Sequence, residues 1–268
     1  MSETIPETED TITPDHTDTE AATPVHTDAE AATPKNADID IATFLERYPV
    51  RRGIQGYIGY ALGITASKIL IKLRAEGLEN IPANAPYVMS PNHVTYVDGM
   101  WVTSFLPRHH FKLMCCMAAK ELEDSHGWIG RLIMKVGRGI AADRFGNPVR
   151  ALILAKKQLE IGQILLVHPE GTRSPDGKVG ELKDGASYLA IKAHCPLLPI
   201  YIHGGYEVFN RHFKFPKPFD CKNFRRKRVT IYYGKPLMPE NFKKACDMTA
   251  ALTAWMNEMQ EKALSGQL

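Results

Sequence analysis

NPVRALILAKKQLEIGQILLVH, residues 147–168, holds a helix, its stop and a strand in one run. Asn147 before Pro148 reads as an N-cap followed by proline at the first helical position, where its missing N–H goes unused. Gly162 is placed to close that helix. QILLVH (163–168) then follows as a short apolar run, the pattern of a strand buried on both faces. A helix feeding a buried strand through so short a link is the repeating unit of α/β proteins.

The same alternation extends outward in both directions. Tyr87–Met89 reads as a short strand ending at Ser90-Pro91, Asp184–Ala193 as a helix, and LLPIYIHG (197–204) and VTIYYG (229–234) as strands. Thr249–Leu264 reads as a helix with Leu252, Trp255, Met256 and Met259 along one face. The expected architecture is α/β, with a largely parallel central sheet flanked by helices, in one domain over residues 76–268.

The N-terminal part differs in kind. Residues 1–46 carry twelve Asp or Glu against the single Lys35, and HTDTEAATP (16–24) returns as HTDAEAATP (26–34). So little apolar surface cannot offset the entropy of ordering, so an acidic disordered tail is expected there. The rest of the chain carries 32 Lys or Arg against 18 acids, a net of +14 that favours an anionic partner. Five cysteines without a C-x-x-C pair suit a reduced compartment. MSETIPETED has no apolar run, so it is no secretory signal; the cytoplasm, or a membrane facing it, is the expected location.

Residues 47–75 are expected to form an N-terminal apolar helix. Within them, IQGYIGYALGITASKILIKL (54–73) contains no acid, and only Lys68 and Lys72 are charged. Gly56, Gly59 and Gly63 dilute its hydrophobicity, and Arg51, Arg52, Lys68 and Lys72 lie toward its ends. Either a helix lying in a membrane interface or a helix packed on the core fits; a full span fits less well. A second ambiguous stretch, FNRHFKFPKPFDCKNFRRKR (209–228), interleaves phenylalanines with Lys and Arg. It reads as a basic loop with its aromatics tucked inward, or as an edge that docks on anionic headgroups. Basic-aromatic mixtures also suit nucleic acid.

Chemistry first shows at NHVTYVD (92–98). On a regular helix His93 and Asp98 would point about 140° apart. They converge only if His93 lies in a turn after a strand and Asp98 in the first helical turn. A carboxylate on one imidazole nitrogen fixes the tautomer and leaves the other to accept a proton. Alone, the spacing fits a capped helix start with an incidental histidine better. No G-x-S-x-G elbow is present, so a base here would act on a hydroxyl of the substrate. HPEGTRS (168–174) makes a tight polar turn, in which Arg173 offers a fork suited to phosphate or pairs with Glu170. His109, His110 and His126 show no metal-ligand spacing.

Taken in order, NHVTYVD, GRGIAADR (137–144), HPEGTRS and the LPI of 198–200 resemble the blocks of the lysophosphatidate (1-acylglycerol-3-phosphate) acyltransferase family. AEGLENIP (75–82) and VTIYYGKPL (229–237) look like that family's flanks, so the resemblance covers roughly residues 75–239. It implies His93 as general base and Asp98 as its orienting acid. It implies Arg144, Glu170, Gly171, Thr172 and Arg173 around the acceptor's phosphate and glycerol, with Pro199 shaping the acyl-donor side. The implied acceptor is a lysophospholipid, foremost 1-acyl-sn-glycerol-3-phosphate, on an anionic membrane surface. The implied donor is acyl-CoA or acyl-carrier protein, with no cofactor, metal or covalent intermediate. His168 departs from the family pattern, which has an aromatic there, and Ala141-Ala142 stand where bulkier residues are usual. Another hydroxyl acceptor, a non-catalytic lipid-binding module and a nucleic-acid binder are the competing readings.

Overall fold

The structure is a computed structural model that describes residues 53–119, 134–142, 148–220 and 222–268, all within one compact unit, Ile41–Leu268. The acidic repeats and Arg144 lie outside the described residues.

The expected helix in 147–168 is α4, Pro148–Glu160, in the order set out below. Its end is a Schellman motif. Gly162 takes φ +81°, its N–H donates to the Leu159 carbonyl, and Gln163 N–H donates to Gln158. Glycine is needed because a Cβ is disfavoured in the left-handed region. The turn delivers the chain into β5, Ile164–Leu166, buried throughout.

Seven strands form the main sheet. In chain order, β1 is Lys72–Glu76, β2 Tyr87–Pro91, β3 Met114–Ala119, β4 Gly139–Ala142, β5 as above, β6 Leu197–His203 and β9 Arg228–Tyr233. Their spatial order is β1-β9-β6-β2-β5-β3-β4, and every neighbouring pair is parallel except β6 with β9. The expected largely parallel sheet is therefore present. A separate two-stranded hairpin joins β7, Phe219–Asp220, to β8, Arg225–Arg226. The helices are α1 Ile54–Leu70, α2 Asp98–Thr103, α3 Arg108–Leu113, α4, α5 Gly185–Lys192, α6 Gly205–Phe209 and α7 Ala245–Leu264.

Alternate strand residues face opposite ways, and both faces are covered. Tyr87, Met89, Ile164, Leu166, Leu198, Ile200 and Ile231 pack with Trp101 and Val102 of α2 on one face. On the other, α5 meets β2 and β6, α7 meets β6, and α4 meets β5. Covering both faces explains why β2 and β5 are apolar without alternation.

The N-terminal helix ends earlier than its sequence suggests. The run 54–73 breaks at Leu70, and Lys72–Glu76 pairs with Arg228–Tyr232 as an edge of the sheet. The sheet thus begins at Lys72 rather than after 75. Strand β1 is only half-buried along its length, so its pattern of mixed lysine, arginine and glutamate hid it. One face of α1 packs inward: Gly56 is buried, Tyr57 and Tyr60 meet the Phe111 ring, and Ser67 Oγ accepts from Trp101 Nε1 at 3.1 Å. The opposite face leaves Ile54, Ile58, Leu62, Ile69 and Leu70 exposed. Among the described residues no helix is long and apolar enough to cross a membrane.

Candidate active site

Parallel pairing of β2 and β5, with Met89 opposite Leu166, sends the chain out of both strands at the same edge. The NHVTYVD turn leaves β2 there and the HPEGTRS turn leaves β5 beside it. Carboxyl ends of parallel strands are the usual place for ligand sites in open α/β sheets.

The NHVTYVD turn is organised around one buried carboxylate. Asp98, first residue of α2, is fully buried. Its Oδ2 accepts from Val94 N–H at 2.7 Å, Thr95 N–H at 2.8 Å and His93 Nδ1 at 2.9 Å. Its Oδ1 accepts from Thr95 Oγ1 at 2.7 Å. Burial pushes the Asp98 carboxyl up to about 6, against the pull of these donors toward the anion. Because a carboxylate can only accept, Nδ1 of His93 is the protonated nitrogen and Nε2 is the basic one. The five-residue spacing works because the turn precedes the helix rather than lying within it.

The backbone of His93 is held at both ends from the second turn. His93 N–H donates to Glu170 Oε1 at 2.8 Å, and Ser174 N–H donates to the His93 carbonyl at 2.7 Å. Glu170 Oε2 accepts from Gly180 N–H at 3.1 Å. Burial raises the Glu170 carboxyl to about 7. Both Glu170 oxygens take backbone donors, and the side chain braces the His93 turn. Pro199 likewise sits buried inside β6, opposite Ser90, with its carbonyl accepting from Gly234 N–H. It lies in the sheet next to the end of β2.

Gly171 closes the turn at φ +68°, its N–H donating to His168, and Thr172 is exposed beside it. Arg173 and Glu170 do not pair. Arg173 Nη2 donates to Tyr96 Oη at 2.7 Å, and its guanidinium lies 3.5 Å from the Tyr96 ring centroid. Its Nη1 is buried with no partner among the described residues. A cation held this way presents an unused donor for an anion.

Two contributors escaped the sequence reading. Asn92 pairs through its side chain with the backbone of Ile202, accepting at 2.7 Å and donating at 3.3 Å, which fastens the end of β2 to β6. An asparagine at a strand end carries the signal, but its partner is 110 residues away. His168, read only as a departure, stacks on His93 with ring centroids 3.8 Å apart and planes 15° apart. Its Nδ1 donates to the Pro91 carbonyl at 3.2 Å, and burial lowers its pKa to about 3, so it is neutral. His110 is a core residue, between Tyr87 Oη and the Ala83 carbonyl.

His93, Asp98 and His168 bring their ligand atoms within 4.8 Å of one another. The two rings are nearly parallel, so their lone pairs do not converge, and both Asp98 oxygens already accept protein donors. Asp98 thus spends its oxygens on orienting the His93 ring and its turn.

The sequence and the fold have named counterparts. Residues 72–203 match the family model described as Acyltransferase. Over that stretch the chain is similar to the acyltransferase family. Relatives include the 1-acyl-sn-glycerol-3-phosphate acyltransferase of Pseudomonas aeruginosa, 33% identical over 171 residues, covering 62% of each chain. Another is the probable 1-acyl-sn-glycerol-3-phosphate acyltransferase of Mycoplasma pneumoniae, 28% identical over 188 residues and 69% of each chain. The matched part thus spans 62% of the Pseudomonas relative's length. The fold is shared with the 1-acyl-sn-glycerophosphate (LPA) acyltransferase PlsC from Thermotoga maritima, at TM-score 0.62 and 24% identity, covering 82% of this chain and 87% of that one. The matching stretch contains the β2–α2 turn carrying His93 and Asp98 and the β5 turn that holds it.

Proposed function

We propose that this chain transfers a fatty acyl group from an acyl thioester to the free hydroxyl of a lysophospholipid, foremost 1-acyl-sn-glycerol-3-phosphate, giving phosphatidic acid. The observation that carries the reading is the His93–Asp98 pair, with Nδ1 pinned on a buried carboxylate and Nε2 left as the base. Nε2 takes the proton of the acceptor hydroxyl as that oxygen attacks the thioester carbonyl. The carbon–sulfur bond breaks, and the imidazolium returns the proton to the leaving thiolate. Asp98 stabilises the imidazolium between these steps. Positioned general-base catalysis of this kind is worth roughly 10²–10⁴ in rate.

Arg173, with Arg144, holds the acceptor phosphate and orients its hydroxyl toward His93. An apolar groove of about 220 Å³ between α1, α2 and the 216–218 segment, lined by Gly63, Leu70, Val97, Met100 and Phe209, opens one residue from Asp98 and accepts an acyl chain. The donor is acyl-CoA or acyl-carrier protein, and no cofactor takes part. The exposed face of α1 rests in an anionic membrane surface on the cytoplasmic side, where the acceptor resides.

Free-thiol release from acyl-CoA on liposomes, with and without lysophosphatidate and beside His93→Ala, tests the proposal. Acceptor-dependent release that vanishes in the variant is the expected result. Release without acceptor identifies a hydrolase. Silence with both acyl-CoA and acyl-carrier protein, or an active variant, overturns the reading.

A further inference from the structure

The stretch 209–228 is ambiguous as sequence because its phenylalanines could turn inward. Two of the five do: Phe209 and Phe213 are half-buried. The other three do not. Phe215 is 71% exposed, Phe219 49% and Phe224 93%, the last at the tip of the β7–β8 turn with φ +47°. Single exposed apolar residues are unremarkable, but several large ones in one segment need an explanation.

Cations surround them. Lys214, Lys217, Lys222, Arg225, Arg226, Lys227 and Arg228 fall in the same segment with one acid, Asp220. Asp220 is occupied within its own turn, accepting from Lys222 N–H and Asn223 Nδ2. Among the described residues none of these cations forms an ion pair. Lys217, Lys222 and Lys227 instead line an open hollow of about 450 Å³ together with Phe219 and Asp220.

The hairpin is fastened to α1. Arg226 Nη1 donates to the carbonyls of Lys68 at 3.2 Å and Ile69 at 3.0 Å, the last turn of that helix. The exposed Ile69 and Leu70 of α1 therefore adjoin the hairpin.

We infer that the β7–β8 hairpin is a second membrane contact, inserting Phe224 and Phe219 at the interface while its lysines and arginines engage anionic headgroups. Membrane localisation itself rests on the function proposed above; the hairpin's part in it is new. The neighbouring surface decides for lipid over nucleic acid. Ile54, Ile58, Leu62, Ile69 and Leu70 are aliphatic and offer no flat ring for a base, whereas a bilayer accepts them and phenylalanine alike. Charge complementarity selects an anionic bilayer over a zwitterionic one.

Flotation of the full chain with vesicles tests this, using phosphatidylcholine alone or mixed with phosphatidylglycerol. The wild type should float with the mixed vesicles and far less with phosphatidylcholine. Phe219→Ser with Phe224→Ser should weaken binding about tenfold or more, because less apolar area leaves water on docking. Lys222→Glu with Arg225→Glu should weaken it by at least about fivefold per site and flatten its salt dependence. Acyl transfer to a short-chain, water-dispersed acceptor should be unchanged in both, which shows the fold and site intact. Hairpin variants that float like the wild type overturn the inference. Displacement of the protein from vesicles by duplex or single-stranded RNA at comparable phosphate concentration also overturns it. Loss of activity in His93→Ala is read separately, so either proposal can fail without the other.

Discussion

The backbone N–H of His93 donates to Glu170 Oε1 at 2.8 Å, across 77 positions of sequence. The bond ties His93 to the turn that follows β5. Glu170→Ala leaves a buried N–H without its acceptor, which costs about 1–3 kcal/mol. The expected outcome is a matching fall in urea-unfolding stability and a fall in kcat of about tenfold or more, with KM for the acceptor little changed. Steady-state kinetics beside urea melts checks both.

Glu170 also predicts a pH dependence of stability. Its folded pKa, about 7, lies above the ordinary carboxylate value, because burial disfavours the anion. A raised acid binds its proton more tightly in the folded state, so its contribution is fullest at low pH and is lost as pH rises through about 7. Between about pH 5 and pH 8 the wild type should lose on the order of 2 kcal/mol relative to Glu170→Gln. Equal slopes of the two unfolding free energies against pH would count against the assignment.

Asp98 governs activity at lower pH. Its carboxyl titrates near 6, and once protonated it no longer offsets the charge on an imidazolium. The ratio kcat/KM should fall about tenfold per pH unit below about 6. Asp98→Asn should lower kcat by roughly 10²–10⁴ at every pH, since an amide does not hold the same tautomer. A pH–rate profile of both proteins decides this.

The stacked His168 ring predicts a pattern among three side chains. His168→Phe keeps a flat ring against His93, and its kcat should stay within about threefold of wild type. His168→Leu keeps bulk without the plane, and kcat should fall about tenfold at unchanged KM, the cost of a misplaced reacting group. Kinetics of both variants, with melting temperatures as a control for folding, separates ring stacking from simple filling.

Arg173→Lys should raise KM for the acceptor about tenfold or more while leaving KM for the acyl donor unchanged. A lysine keeps the charge but gives up both the fork and the packing on the Tyr96 ring. An equal rise for both substrates would move Arg173 away from the phosphate.

Much of this was legible in the sequence because the signals were local. Pro148 and Gly162 bracket a helix, and the apolar run 163–168 contains a strand buried on both sides. His93 and Asp98 became candidates through the ordered blocks rather than through spacing alone, and their contact depended on a turn that spacing cannot show. Strand β1 went unread because an edge strand needs no apolar face, and its partner Arg228–Tyr232 lies far along the chain. Glu170 and Pro199 stood out through their motifs, whereas their partners His93 and Ser90 lie far along the chain and are not readable from it. The exposure of Phe224 was undecidable for the same reason: side chains in a hairpin can face either way.

The side-by-side exit of β2 and β5 has a thermal consequence. Three backbone or side-chain bonds reach from residues 168–174 to residues 91–93, and all depend on the same short parallel pair. Local opening of β5 would release them together, so His93 would lose its aim while most of the sheet stayed paired. Amide protons of His93 and Ser174 should then exchange as one group, and heat should silence the protein at a temperature below that of its global melting.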